Sequence, residues 1–304
     1  MESAAPVTLD ENGFYFPNPI VVQGTPTGDY YNTLLRGLTH KLNNFLAVIQ
    51  GFSSLILMSD GLEQGVKENL EHMKKVLPIL CLAALLASCQ RTTIGEGQVT
   101  ADTRNVGKFT SVALNMNALV LVKDSLEHSC TVKAQKNLHE VIITRLDGNT
   151  LVITTKGQVL SDEPVIIELS LNKEQAFEVN GSGQIRTVNT LKNDELDFEI
   201  NGSGVVDADV VANSITSNIS GSGVLNLRGS ANSYNAQISG SGSVNAFQLP
   251  VLNSKASVSG SGEAHLNVGE TLYAKVSGSG SVRYKGSPSV EKSISGSGTV
   301  EPAP

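Results

Sequence analysis

A short motif of small residues recurs seven times in the C-terminal part of this 304-residue chain, and it constrains the fold more than any other feature. Each copy reads Asn-Gly-Ser-Gly or Ser-Gly-Ser-Gly, and successive copies start 21, 19, 19, 20, 18 and 18 residues apart. The copies begin at Asn180, Asn201, Ser220, Ser239, Ser259, Ser277 and Ser295. This regular spacing indicates a repeat architecture, in which each unit buries its apolar face against its neighbours.

Apolar residues flank every copy of the motif, which a flexible Gly/Ser linker would not require. One apolar residue directly precedes each copy, and a second lies two residues after its last glycine. The first set is Val179, Ile200, Ile219, Ile238, Val258, Val276 and Ile294; the second is Ile185, Val206, Leu225, Val244, Ala264, Val282 and Val300. Each repeat therefore presents two aligned core positions around a corner of small residues.

The repeat period is too short for a helical hairpin, and its alternating stretches, such as 205–211 and 234–238, are typical of strands. We therefore predict a mainly β fold, a parallel β-helix (solenoid) whose coils of about 19 residues stack on one another. Equivalent side chains would recur about 4.8 Å apart, as ladders of core residues and of Ser hydroxyls. The glycines are expected at turns or at close approaches between coils. A phosphate-binding loop is the alternative, but no helix N-terminus is indicated after the motif.

The segment before the repeats also predicts strands. Apolar and polar residues alternate there in five runs, with Asp147-Gly148-Asn149 as a hairpin-type turn between two of them. The runs are Ala118–Val122, Thr131–Ala134, Val141–Thr144, Leu151–Thr154 and Val165–Leu169. We expect the β domain to occupy residues 105–304.

Three features of this region resemble the GIN domain family, the head domain of auto-transporter adhesins. They are the opening Asn105-Val-Gly-Lys-Phe109, the Leu151-Val-Ile-Thr154 strand and the Asn-Gly-Ser-Gly sequence that begins the repeats at Asn180. The resemblance extends over residues 105–300, about two thirds of the chain. It implies a β-helical fold in a cell-envelope protein, outside the cytoplasm, and leaves the ligand open.

Residues 73–88 have the layout of a secretory signal peptide: Met73-Lys-Lys, an apolar run and then small residues before Cys89. The apolar run is shorter than the roughly 20 residues that a membrane-spanning helix needs. Leu86-Ala-Ser-Cys89 resembles the lipobox of bacterial lipoproteins, which implies that Cys89 carries a lipid and becomes the mature N-terminus. Residues 89–104 would then form a lipidated polar tether. A buried apolar helix with an incidental cysteine is the alternative.

Residues 1–72 predict an α-helical hairpin, with one helix over 31–58, where apolar residues are three and four apart, and a second over 62–72. The segment 38–51, Leu-Thr-His-Lys-Leu-Asn-Asn-Phe-Leu-Ala-Val-Ile-Gln-Gly, resembles the H-box of histidine kinase dimerisation and phosphoacceptor domains. That resemblance implies His40 as the phosphoacceptor; otherwise His40 is an ordinary helix histidine. No ATP-binding motifs follow, and a signal peptide works from the start of a chain. We therefore hypothesise a fusion whose second part natively begins at Met73.

Composition and charge exclude several classes of function. The chain has 22 Lys and Arg against 29 Asp and Glu, a net charge of −7, which argues against nucleic-acid partners. Its three cysteines are too few and too unevenly placed for a disulfide framework or a four-cysteine zinc site. The histidines His128, His139 and His265 are far apart and are expected at the surface. We predict no metal and no cofactor.

Carboxylates on the repeats raise an enzymatic alternative, because glycoside-cleaving enzymes use paired carboxylates. Alternation places Asp207 and Asp209 on the same outward side of a strand. A charged, solvated edge that discourages aggregation explains them without chemistry, and no basic or aromatic partners gather nearby in sequence.

The sequence therefore predicts a lipoprotein of the cell envelope, facing the periplasm or in the outer membrane, whose β-helix is adhesive or structural and not catalytic. Its partners would be the membrane, through the lipid on Cys89, and a surface glycan or protein ligand. One alternative is a signalling protein that uses His40, and a less favoured one is a polysaccharide-active enzyme.

Overall fold

The computed structural model describes residues 92–173 and 175–304, and nearly all of the regular structure there is β. A 3-10 helix, η1 (Lys136–Glu140), is the exception. The strands are β1 (Thr92–Ile94), β2 (Val99–Thr103), β3 (Ser111–Leu114), β4 (Leu119–Asp124), β5 (Ser129–Gln135), β6 (Ile142–Asp147), β7 (Thr150–Thr155), β8 (Gln158–Leu160), β9 (Ile166–Leu171), β10 (Ala176–Gly181), β11 (Gln184–Thr187), β12 (Leu191–Gly202), β13 (Val205–Gly221), β14 (Val224–Gly240), β15 (Ser243–Gly260), β16 (Glu263–Gly278), β17 (Ser281–Lys285), β18 (Ser289–Gly296) and β19 (Thr299–Pro302).

Several predictions concern the N-terminal part of the chain. The helical hairpin of residues 1–72, the signal-peptide helix of residues 73–88 and the lipidation site Cys89 all lie outside the described residues. Where the structure does describe the chain, no helix is both long enough and apolar enough to cross a bilayer.

Successive long strands pair in parallel and in register, which confirms the predicted solenoid. Strand β13 pairs with β14 from Val205↔Val224 to Gly221↔Gly240, so that one coil lies on the next with an offset of 19 residues. The same pairing continues through β15, β16 and the pairs formed by β17 and β18. The result is a parallel β-solenoid of about seven turns with coils of about 19 residues.

Both apolar columns predicted around the motif point into the solenoid. All seven members of the column after the motif, from Ile185 to Val300, are buried. The column before the motif is buried from Val179 to Val276, whereas Ile294 in the last described coil is 42% exposed. No further coil covers Ile294 in the described structure. A charged residue, Lys292, occupies an inward register position in the same coil, opposite Ala274.

Glycine is required at both glycine positions of the corner, for two different reasons. The first glycine, for example Gly240, has φ +117°, and a β-carbon there would lie 2.6 Å from the carbonyl oxygen of Gly221 in the preceding coil. The second, for example Gly242, would place a β-carbon 2.5 Å from Cγ2 of Ile219. The corner is therefore a close backbone approach, and the apolar residue before each motif packs beneath the second glycine of the next coil.

The N-terminal end of the solenoid is closed by antiparallel strands. The coil formed by β3 and β4 lies between the coil of β7 and β9 and the coil of β10 and β11, and all of these pairings are parallel. At the outer edge, β6 pairs antiparallel with β7, β5 pairs antiparallel with β9, and β2 continues from β5. The β6–β7 hairpin turns at Gly148-Asn149, as predicted. These strands cover the edge of the parallel ladder, which would otherwise present unpaired backbone groups.

The folded region begins before residue 105, because β1 and β2 lie in the segment that we assign to a polar tether. Strand β1 pairs with β8, and β2 pairs with β5. The side chain of Arg104 then donates hydrogen bonds to the carbonyl oxygens of Ile142, at 2.7 Å, and His139, at 2.9 Å. Residues 92–104 thus contribute to the cap of the solenoid.

One buried polar pair lies inside the core. The hydroxyl oxygens of Ser217 and Tyr234 are 2.8 Å apart, and both side chains are almost fully buried. Burial raises the pKa of Tyr234 well above its ordinary value, since a phenolate would lose its hydration. The pair keeps both hydroxyls hydrogen-bonded, which a dry core requires.

Replacing the corner glycine Gly240 with alanine should destabilise the solenoid, since the new β-carbon would meet a backbone oxygen at a positive φ. We expect a loss of about 2 kcal/mol or more in the free energy of unfolding, measured by urea titration with circular dichroism. The matched control is Gly269→Ala, where the nearest atom to the new β-carbon is 3.6 Å away and φ is unstrained. That change should alter stability by about 0.5 kcal/mol or less. Equal losses in the two variants would contradict the corner argument.

Replacing Tyr234 with phenylalanine should cost about 1–3 kcal/mol, because the hydroxyl of Ser217 would remain buried without its partner. Adding Ser217→Ala should cost less than the sum of the two single changes, as expected for two groups in contact. Tyr273→Phe is the control, since Tyr273 is half-buried and its hydroxyl makes no hydrogen bond to any described residue. Additive losses in the double variant would show that the pair is not coupled.

Candidate binding site on the outer face

The predicted site residues separate into those described and those not. His40 and Cys89 lie outside the described residues, so their roles remain predictions. Cys130 is buried in the core, and burial raises its pKa to about 11, which keeps it a neutral thiol. Within residues 92–173 and 175–304, no cluster of His, Cys, Asp and Glu could hold a metal ion.

The three histidines of the β domain lie apart, as expected, but each is half-buried instead of fully exposed. His128 packs edge-on against Phe109, with 5.8 Å between ring centroids. His139 lies 3.0 Å from the hydroxyl of Thr100, in the N-terminal cap. His265 is the one that joins the candidate site described below.

Asp207 and Asp209 point outward on β13, as alternation predicts, and both have partners in neighbouring coils. Asp207 accepts hydrogen bonds from Gln184 at 2.9 Å and from Asn226 at 2.5 Å. A guanidinium nitrogen of Arg228 lies 3.8 Å from Asp209. These contacts match the charged, solvated edge, and each carboxylate supports the neighbouring coils.

Asp207 is the first member of a hydrogen-bonded ladder that runs up the outer face. Asn245 donates to the side-chain oxygen of Asn226 at 2.8 Å, and Nδ1 of His265 lies 3.0 Å from the side-chain oxygen of Asn245. These residues share one register column, one per coil. Each amide uses one of its two N–H donors within the ladder, so that one donor per amide is left for another partner.

The register of the ladder breaks in one coil. Strand β15 carries extra residues relative to both neighbours, since Ala246 pairs with Leu266 but the next pair is Pro250 and Asn267. The residues between Ala246 and Pro250 form a β-bulge, which redirects side chains and interrupts pairing. Pro250 is exposed there, where a missing N–H does little harm.

The bulge presents Phe247 on the outer face. Its ring stacks on His265, with 5.0 Å between centroids and 16° between planes. The ammonium nitrogen of Lys285 lies 4.8 Å from the ring centroid, a cation–π contact. Side chains from three successive coils thus meet at this one aromatic ring.

A cavity of about 250 Å³ opens beside this ring. It combines an aromatic surface, three amides and one guanidinium, a mixture of apolar and directional polar groups typical of ligand sites. The lining residues are Asn226, Leu227, Arg228, Asn245, Phe247 and Gln248. We call this cavity the bulge site.

A second, shallower depression of about 330 Å³ follows the serine corner on another face. It is lined by serines together with Gln237, Ile238, Val258 and Lys275, and it has no aromatic residue. It provides an internal comparison for the bulge site.

His265 is neutral at physiological pH in this setting. Burial lowers its pKa, the carboxylate of Glu263 opposes that shift, and the guanidinium of Arg283 adds to it. Glu263 approaches Nε2 of His265 at 3.6 Å. A neutral imidazole therefore stacks on Phe247.

Sequence reasoning missed the bulge site, although a signal was present. The motif spacing is 20 residues only for the coil that contains Phe247, and the next spacing is 18. A single longer coil followed by a shorter one marks a local insertion. Aromatic residues make up only 5% of the chain, so a phenylalanine within that insertion is conspicuous.

The chain was compared with protein families and with known proteins. The model of the family described as "Putative auto-transporter adhesin, head GIN domain" matches residues 108–288. No curated protein matches the chain.

Several solved structures share the fold. A "putative adhesin" from Bacteroides fragilis is 24% identical and has a TM-score of 0.66, with 69% of this chain and 100% of that chain covered. A "putative adhesin" from Parabacteroides distasonis is also 24% identical, with a TM-score of 0.61 and coverage of 70% and 100%. A "putative lipid binding protein" from Parabacteroides distasonis is 20% identical, with a TM-score of 0.62 and the same coverage.

Charge substitutions around His265 should move its pKa in opposite directions. Glu263→Gln should lower the pKa further, because it removes the carboxylate that favours the imidazolium. Arg283→Gln should raise it, because it removes a repelling cation. Titration of the imidazole signals by NMR measures both, and shifts in the same direction for the two variants would contradict this account.

Proposed function

The chain belongs to the GIN domain family of auto-transporter adhesin heads, and we propose that it is a lipoprotein of the cell envelope whose β-solenoid serves as a non-catalytic, adhesin-like binding head. The single observation that carries the adhesive function is the family match over residues 108–288, which lies within the solenoid. The bulge site gives this solenoid a concave, mixed-polarity surface on its outer face. Such a surface suits recognition more than reaction.

The envelope location is supported by the sequence before the solenoid. The order of Met73-Lys-Lys, an apolar run, small residues and Cys89 is that of a lipoprotein signal. The described structure begins three residues after Cys89, at Thr92. A lipid on Cys89 would therefore hold the capped, N-terminal end of the solenoid at a membrane. A single acyl chain anchors only marginally, so stable attachment calls for more than one chain on the cysteine.

The non-catalytic character is supported by the arrangement of the titratable groups. Glycoside-cleaving enzymes need a general acid and a second carboxylate facing one bond across a substrate. Asp207 is instead hydrogen-bonded within the amide ladder, and Asp209 faces a guanidinium. The groups that line the bulge site are amides, a phenyl ring and a guanidinium, which bind but do not transfer protons at neutral pH.

Fatty-acid labelling of the protein in its native host tests the lipoprotein proposal. The wild-type chain should incorporate a labelled fatty acid, and its N-terminal peptide should begin at an acylated Cys89. Cys89→Ser should abolish incorporation, since serine has no thiol to acylate. Cys81→Ser is the matched control, as it removes a cysteine from the same segment and should leave labelling intact.

Two outcomes would overturn the proposal. One is label that persists in Cys89→Ser. The other is a mature protein in which residues 1–72 are still joined to the repeats, which would favour a signalling role for His40.

A further inference from the structure

We propose that the bulge site binds one neutral sugar ring of a surface glycan, with Phe247 as the platform and the neighbouring amides as hydrogen-bonding groups. This inference rests on the proposed adhesin-like function and names its ligand class.

The shape of the site suits a small ring. Ligand pockets for drug-sized molecules have volumes of about 300–1,000 Å³, and the bulge site, at about 250 Å³, falls just below that range. The volume arises where β14 and β15 lose register, between the pairs Asn226↔Asn245 and Arg228↔Gln248. It is therefore built into the backbone, and it does not depend on one side-chain rotamer.

The chemistry of the lining matches a sugar ring, which has C–H groups on its faces and hydroxyls around its edge. The ring of Phe247 provides apolar surface for the C–H groups. The unused amide donors of Asn226 and Asn245 can bond hydroxyl oxygens, and Gln248 adds an exposed amide with both donor and acceptor. These amides come from two successive coils, so they bracket the ligand along the stacking direction.

The amides are also held in place before the ligand arrives. The ladder from Asp207 through Asn226 to Asn245 fixes each side chain by a hydrogen bond to the coil below. His265 stacks on Phe247 and bonds Asn245, which fixes the phenyl ring and the amide relative to each other. Preorganised groups lose little conformational entropy on binding, which matters for a ligand as small as one sugar.

Charge at the site favours a neutral sugar over an acidic one. Arg228 already faces the carboxylate of Asp209 at 3.8 Å, and the ammonium of Lys285 lies against the ring of Phe247. His265 is neutral at pH 7 because its pKa is lowered. A carboxylate on the ligand would thus find no cation without a partner among those that border the ring.

Saturation-transfer NMR on the full-length chain tests the proposal. The probes are methyl glycosides of neutral hexoses and of N-acetylhexosamines, with methyl glucuronide as the acidic probe. We expect saturation transfer to at least one neutral probe, strongest at the C–H groups of one ring face. Phe247→Leu, which keeps apolar bulk but removes the aromatic surface, should weaken binding at least about tenfold.

Two further variants separate a local effect from loss of folding. Gln248→Ala changes an exposed residue of the bulge site and should also weaken binding. Gln237→Ala removes the same side chain from the depression at the serine corner and should leave binding unchanged. Circular dichroism and thermal unfolding check that all variants keep the fold.

The outcomes are decisive in both directions. The inference is overturned by absence of transfer to every neutral probe, by equal binding in wild type and Phe247→Leu, or by preferential, salt-sensitive binding of methyl glucuronide. Fatty-acid labelling of Cys89 does not involve this cavity. A chain that is lipidated but binds no sugar would therefore overturn the ligand assignment alone, whereas sugar binding by a chain that is never lipidated would overturn only the envelope anchor.

Discussion

The close approach of one coil to the next at the Gly-Ser-Gly corner is the constraint on which the rest of the solenoid depends. The carbonyl oxygen of Gly221 accepts a hydrogen bond from the backbone N–H of Ser241 in the following coil, at 2.8 Å, and the same bond recurs at other corners. It can form because no β-carbon stands between the two backbones. A shift of one residue would replace a glycine with a serine at this contact and would turn every inward side chain outward. The corner therefore fixes the register of the whole coil.

With the register fixed, side-chain size can vary along a column without any change of backbone. One inward column reads Phe177, Phe198, Ser217, Ala236, Ala256, Ala274 and finally Lys292. The two phenylalanines stack at 5.7 Å near the capped end, and the alanines follow where the large Tyr234 enters from the next inward column. Lys292 ends the series with a charge at a core position. An inward-pointing charge discourages further strands from adding to that edge, whereas antiparallel strands close the opposite end.

The features that could be predicted from the sequence are those that repeat. The corner glycines and the two apolar columns each recur seven times at a nearly constant spacing, and such agreement does not arise by chance. The cap could not be predicted in the same way, because β1 and β2 are short and polar and gain their order from distant partners. The pairing of β10 with β3 joins residues about 65 positions apart, across a segment that folds back beneath them. The buried Ser217 carries no sequence signal, since its burial follows from register alone.

The bulge site illustrates how a repeat protein can acquire a specific surface at little cost to its regularity. The coil from Ser239 to Ser259 is one residue longer than the coil before it, and the coil from Ser259 to Ser277 is one residue shorter than that earlier coil. The two differences cancel, so the corners return to register at Gly260 and Gly278 and the core columns continue undisturbed. The irregularity is thereby confined to the outer face, where it opens a cavity and brings Phe247 next to the amide ladder. Because the regular coils on either side hold that ladder rigidly, the insertion creates a preorganised site and not merely a loose loop.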